Sequence, residues 1–97
     1  MRFEIILAPQ AVEDLKRLKA NVRAEVRTMI ERHLRHEPRK VSRSRIKQLR
    51  GLSRPQFRLR ADEVRVFYDV SDQVVEVLAI VMKSEAEAWL AQYGSLE

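Results

Sequence analysis

Ninety-seven residues with a formal charge of +5 make one small domain, 1–97, whose core is just large enough to stand without staples. The absence of cysteine excludes disulfides and thiolate metal sites and fits a reducing cytoplasm. At 34% charged and 45% hydrophobic residues the chain reads as globular rather than disordered, and no apolar run reaches the length of a membrane span.

The first stretch, Arg2 to Leu7, predicts a strand with Phe3, Ile5 and Leu7 on one face. Its apolar run, Ile5 to Ala8, is too short for the hydrophobic region of a signal peptide. Pro9 stands where a helix begins, because the N–H it lacks would be unpaired there anyway. Val12, Leu15 and Leu18 then repeat at helical spacing. Asn21 is a candidate N-cap for a second helix, in which Val22, Val26, Met29, Ile30 and Leu34 form one apolar stripe. The break near Ala20-Asn21 makes the pair a helical hairpin, and Pro38 ends it. His33 and His36 lie three apart near its close. A metal claim needs a full ligand set, which has no obvious companion here, so they read as cations near a helix C-terminus and no metal is assigned.

Residues 39–60 carry nine Lys or Arg and no acid, while the remaining ten cations face all 14 acids. The positive charge of the chain therefore comes wholly from this segment, which predicts a polyanion partner. Arg39, Lys40, Arg43, Arg45, Arg50 and Arg54 are the candidate nucleic-acid contacts. The segment runs into two alternating stretches, Phe57 to Arg60 and Val64 to Val70, joined around Asp62-Glu63. A two-residue loop there sets Arg60 opposite Arg65, Arg58 opposite Phe67 and Leu59 opposite Val66, so Arg58, Arg60 and Arg65 share one face. Opposed like charges destabilise a sheet, which suggests an anion to be bound.

After a turn at Ser71-Asp72-Gln73, the run Val74 to Met82 is almost continuously apolar and predicts a strand covered on both faces. Ser84 three residues before Glu87 has the form of a capping box. Ala86, Trp89, Leu90 and Tyr93 then share a face of a short C-terminal helix that stops at Gly94, with Trp89 read as core packing or a cover for the second face of the sheet in preference to a base-stacking platform. The expected fold is α+β, an N-terminal helical hairpin packed on a four-stranded, mostly antiparallel sheet.

The order of strand, helical hairpin, basic loop, Lys47-Gln-Leu-Arg-Gly51, Phe57-Arg-Leu-Arg and Arg65-Val-Phe-Tyr-Asp-Val resembles the RelE/ParE superfamily of toxins from type II toxin–antitoxin modules. The resemblance implies a cytoplasmic toxin held inactive in a hetero-oligomer with its cognate antitoxin. In the RelE branch it implies a metal-free, ribosome-dependent endoribonuclease that cuts mRNA and inhibits translation. In the ParE branch it implies a poison of DNA gyrase, and a third alternative is a non-catalytic homologue that only binds the antitoxin. No cofactor and no membrane enter in any of these. Arg65 matches the arginine of the family's Tyr-Arg-Leu-Val-Tyr-like strand, and Arg58 and Arg60 match basic positions on the strand before it. Their guanidinium forks suit phosphate oxygens. Lys47 or Lys83 is the candidate proton donor or acceptor, with Glu85 and Glu87 as further bases. RelE-type nucleases usually carry an arginine or histidine just after the last strand and a tyrosine near the end of the segment that follows. Here Lys83 is the only cation in that stretch, and Tyr93 lies further along.

Overall fold

The computed structural model describes residues 2–96. Strand β1 (Glu4–Leu7) leads into helices α1 (Pro9–Arg17) and α2 (Ala20–Leu34). Strands β2 (Ile46–Gln48), β3 (Leu52–Arg54), β4 (Phe57–Ala61), β5 (Val64–Ser71) and β6 (Val74–Met82) follow. A 3-10 turn (Lys83–Glu85), helix α3 (Ala86–Tyr93) and strand β7 (Ser95–Leu96) complete the chain.

The sheet has five strands in the order β1-β6-β5-β4-β2, not four, and a separate ribbon pairs β3 with β7. The fifth strand comes from the basic segment that had been expected to be a loop. Ile46, only 3% exposed, pairs with Leu59, and this single apolar anchor holds β2 on the edge, with Lys47 and Gln48 turned toward solvent. A short, charged edge strand of this kind discourages further strand addition. β1 pairs with β6 in parallel, Glu4 against Val74, whereas β6, β5 and β4 form the expected antiparallel meander.

The two helices pack on one face of the sheet. Val26, Met29, Ile30 and Leu34 of α2 and Ala11 and Leu15 of α1 meet Phe57, Leu59, Val66, Tyr68, Val75 and Val77 in one cluster. The expected stripe is the one that is buried, but α2 starts at Ala20 with Lys19 as its N-cap, so Asn21 lies inside the helix. β1 likewise begins at Glu4 rather than Arg2. Both two-residue hairpin loops place an aspartate in the left-handed region, Asp62 at φ 57° and Asp72 at φ 51°, a conformation Asp tolerates better than bulkier residues. A register shift opposite Phe67 and Tyr68 leaves Leu78 as an extra residue of β6. Nearby, the amide of Ile80 donates to the Asp14 carboxylate of α1 at 3.0 Å.

The expected capping box at Ser84 does not form. Ser84 sits inside the 3-10 turn, Glu85 is the N-cap of α3, and no side chain caps the helix. Tertiary contact holds α3 instead. Trp89 stacks on Phe67 at 5.0 Å between centroids and 5° between planes, and Tyr93 lies 5.5 Å beyond. Gly94 ends the helix where a Cβ would fall 2.6 Å from the Leu90 carbonyl oxygen. Among the described residues no helix is long and apolar enough to cross a membrane.

Candidate nucleic-acid interface

β4 and β5 pair in the register the alternation predicts, Arg60 against Arg65, Arg58 against Phe67 and Leu59 against Val66. Side chains alternate along a strand, so Arg58, Arg60 and Arg65 share the face opposite α1 and α2. Lys47, paired with Arg58 from β2, joins them on that face. Lys83 is brought close by its backbone, whose N–H donates to the Glu63 carbonyl at 2.7 Å in the loop before Arg65. Helix α3 covers Phe67 on the same face.

The three arginines differ in how far they are committed. Arg65 is 6% exposed, and its Nη1 donates to the carbonyls of Asp62 at 2.6 Å and Val64 at 3.1 Å. Burial and then Arg60 pull its pKa below the ordinary guanidinium value, against the opposing pull of Glu63 and Asp62. Arg58 is half-buried, and its pKa is lowered by burial first, then by Arg65 and Arg60. Its Nε is buried with no hydrogen-bond partner among the described residues. Arg60 is exposed at the side chain, while its backbone is tied to Arg45: Arg60 N–H donates to the Arg45 carbonyl at 2.8 Å, and Arg45 Nη1 to the Arg60 carbonyl at 3.3 Å. Three guanidiniums on one face, two of them partly desolvated and one with an unpaired donor, form a surface that an anion would relieve.

The other cations of the basic segment are not equivalent. Arg39 lies over the Phe3 ring at 5.9 Å, and Lys40 pairs with Glu37 at 3.6 Å. Arg54 bridges Asp69 at 3.4 Å and Glu76 at 3.3 Å. Arg43 and Arg50 are exposed, with no carboxylate in ion-pair range among the described residues. Two of the nine cations, Lys40 and Arg54, are therefore answered by acids outside the segment.

The Arg54 bridge escaped the sequence reading. Asp69 and Glu76 are opposed across β5 and β6, a like-charge pair that Arg54 spans, and Asp69 also accepts the Gln56 amide at 2.8 Å. Burial raises the Asp69 pKa, the Gln56 amide and Arg54 lower it, Glu76 raises it again, and the net shift is upward. The carboxylate thus penalises the fold in full above its raised folded pKa, and the penalty vanishes below the unfolded value. Asp69→Asn, which keeps the acceptor for Gln56, is expected to hold or raise the melting temperature at neutral pH. That advantage should shrink as pH falls through the Asp69 titration. Thermal melts of both proteins across that range check the sign, and a variant less stable only at neutral pH would reverse it.

His33 also departs from expectation. Burial, then Arg45 and Arg32, lower its pKa, which disfavours the imidazolium expected at the end of α2. Among the described residues no three His, Cys, Asp or Glu side chains group as metal ligands. A groove of about 400 Å³ beside α3, lined in part by Asp14, Arg54, Leu78, Trp89 and Tyr93, includes none of Arg58, Arg60 or Arg65.

Among curated proteins no sequence match is found. Solved structures do match in fold. A double-arginine variant of the Escherichia coli toxin RelE in the free state superposes with a TM-score of 0.69 at 22% identity, over 92% of each chain. A chain of the RelBE2 toxin–antitoxin complex from Mycobacterium tuberculosis gives 0.67 at 24% identity, over 84% of this chain and 99% of that one. A chain of the RelB–RelE complex from Methanococcus jannaschii gives 0.66 at 16%, over 87% and 96%. The family model described as the ParE toxin of the type II toxin–antitoxin system parDE matches residues 5–87, β1 through the first turn of α3. The chain therefore belongs to the ParE toxin family of type II toxin–antitoxin systems.

Proposed function

We propose that the protein is a toxin that cuts mRNA on the ribosome without a metal and is held inactive by a cognate antitoxin in a hetero-oligomer. The observation that carries this reading is the arginine face, above all the unpaired Nε of Arg58 beside Arg60 and Arg65. Cleavage by the 2′-hydroxyl builds negative charge on a five-coordinate phosphorus. Donors already aimed and partly desolvated are worth most at that moment. In this reading Arg58 and Arg60 hold the phosphate oxygens, Arg65 fixes the loop and adds charge behind them, and Lys47 or Lys83 moves the proton. The ribosome supplies the alignment of the strand, an effect worth several kcal/mol. RelB–RelE complexes among the structural relatives support an antitoxin partner.

A second reading has its own support. The matched family is described by a ParE toxin, and Lys83 is the only cation between β6 and the described C-terminal end, a sparse proton inventory for a nuclease. It makes the chain a poison of DNA gyrase with no chemistry of its own. Induction of the protein alone separates the two. Transcripts cut at ribosome-occupied positions, with intact chromosomes, are expected. Chromosome breakage with intact transcripts would establish the gyrase reading instead.

A further inference from the structure

On the helix side of the β2 edge, α2 and the loop after it enclose a second cationic pocket of about 300 Å³. Arg32 and His33 line it from the last turn of α2, and Ser42, Ser44 and Arg45 from the loop. Lys40 and Glu37, which pair with each other, also lie in its wall. The Ser42 hydroxyl oxygen accepts the amides of Arg45 at 3.1 Å and Ile46 at 3.2 Å, which leaves its own proton to donate to a further acceptor. Arg45 joins this pocket to the arginine face, because it lines the pocket while its Nη1 reaches the carbonyl of Arg60 across the edge. Cations thus run from α2, around the edge strand, to Arg60.

We infer that this pocket seats a phosphodiester of a single nucleic-acid strand that wraps the β2 edge between α2 and the Arg58–Arg65 face. The inference rests on the reading that the protein handles RNA, and it places a further contact of that strand. The observations favour a phosphate over an acidic peptide on two grounds. The space admits one compact group rather than a helix or strand. Its donors are of several kinds, guanidinium, hydroxyl and imidazole, converging from two elements, which suits a tetrahedral oxyanion.

The pocket has a built-in reporter. The charged groups that line the pocket with His33 are Arg32 on its own helix and Arg45, Lys40 and Glu37 from the segment packed against it, and burial, then Arg45 and Arg32, lower the His33 pKa. A bound phosphodiester, which stays a monoanion throughout, would favour the imidazolium. The probe is a six-nucleotide oligothymidylate, whose sugars lack the 2′-hydroxyl needed for cleavage. Its affinity for the full chain, measured by anisotropy at low salt, is expected to tighten several-fold between about pH 8 and about pH 6. His33 imidazole resonances should shift on addition. His33→Gln should remove the pH gain, and Arg45→Gln should weaken binding at every pH, each with an unchanged circular dichroism spectrum. Binding without a pH gain and with unmoved His33 resonances would overturn the inference. So would a polyglutamate that moves those resonances when the oligonucleotide does not, since the pocket would then be a protein dock. Oligonucleotide seated at His33 by a protein that leaves transcripts intact on induction would uphold the pocket while rejecting the nuclease.

Discussion

On the proposed nuclease reading, Arg58→Met is expected to reduce mRNA cutting, and with it toxicity, by about a hundredfold or more, while leaving the fold as stable as before or more so. The activity loss has the size seen when one preorganised donor is removed from a charge-stabilising site, on the order of 3 kcal/mol of transition-state energy. The opposite sign for stability follows from the local chemistry. Arg58 is half-buried, repelled by Arg65 and Arg60, and has a buried Nε without a partner. Methionine keeps the apolar stem and removes each of these costs, a gain of up to about 1 kcal/mol. Arg65 is the poorer probe, because its loss also strips Nη1 from the Asp62 and Val64 carbonyls and so confuses folding with chemistry. Transcript mapping after induction and a thermal melt on the purified variant read the two signs separately. A protein that keeps cutting, or melts several degrees lower, would show that the Arg58 guanidinium serves the fold.

Tyr68→Phe is expected to cost about 1–3 kcal/mol, a fall of several degrees in melting temperature for a domain of this size. Tyr68 is fully buried, stacks on Phe57 at 5.4 Å, and donates its hydroxyl to the Pro38 carbonyl at 2.6 Å. Burial raises its pKa well above the ordinary phenol value, so the hydroxyl stays a donor at any working pH. Phenylalanine preserves the packing and leaves the Pro38 oxygen unpaired inside the core, where the full desolvation penalty applies. Pro38 is where the chain leaves α2 for the basic segment, so faster amide exchange over residues 39–45 should accompany the loss. Wild-type stability in the variant would mean that water replaces the hydroxyl.

What the sequence disclosed tracks how local each signal is. The β4–β5 register was legible because a two-residue loop and two alternating runs constrain each other, and the α2 stripe because its period lies within one helix. β2 was hidden because three residues with one apolar member, set among nine cations, carry almost no alternation. The parallel partner of β1 was hidden because nothing near residues 4–7 refers to residues 74–77. The capping box at Ser84 failed for the opposite reason. Its motif was present, but the packing of Trp89 on Phe67 and a 3-10 turn fixed the start of α3 instead. At the site, the arginine face followed from register. The pairing of Arg54 with Asp69 and Glu76, and the lowered pKa of His33 beside Arg45, depend on approaches between distant segments.

The parallel pairing of β1 with β6 has a consequence for how the protein is made. β6 lies inside the sheet, between the edge strand β1 and the central β5, yet it is the last of the five strands to leave the ribosome. A nascent chain stopped before residue 74 lacks an interior strand of the sheet and not its rim. β1 then has no neighbour, and the helices have only half a surface to cover. Synthesis thus delivers the arginine-bearing hairpin before the strand that braces it, and that face acquires its rigid backing only when translation of the domain is nearly done.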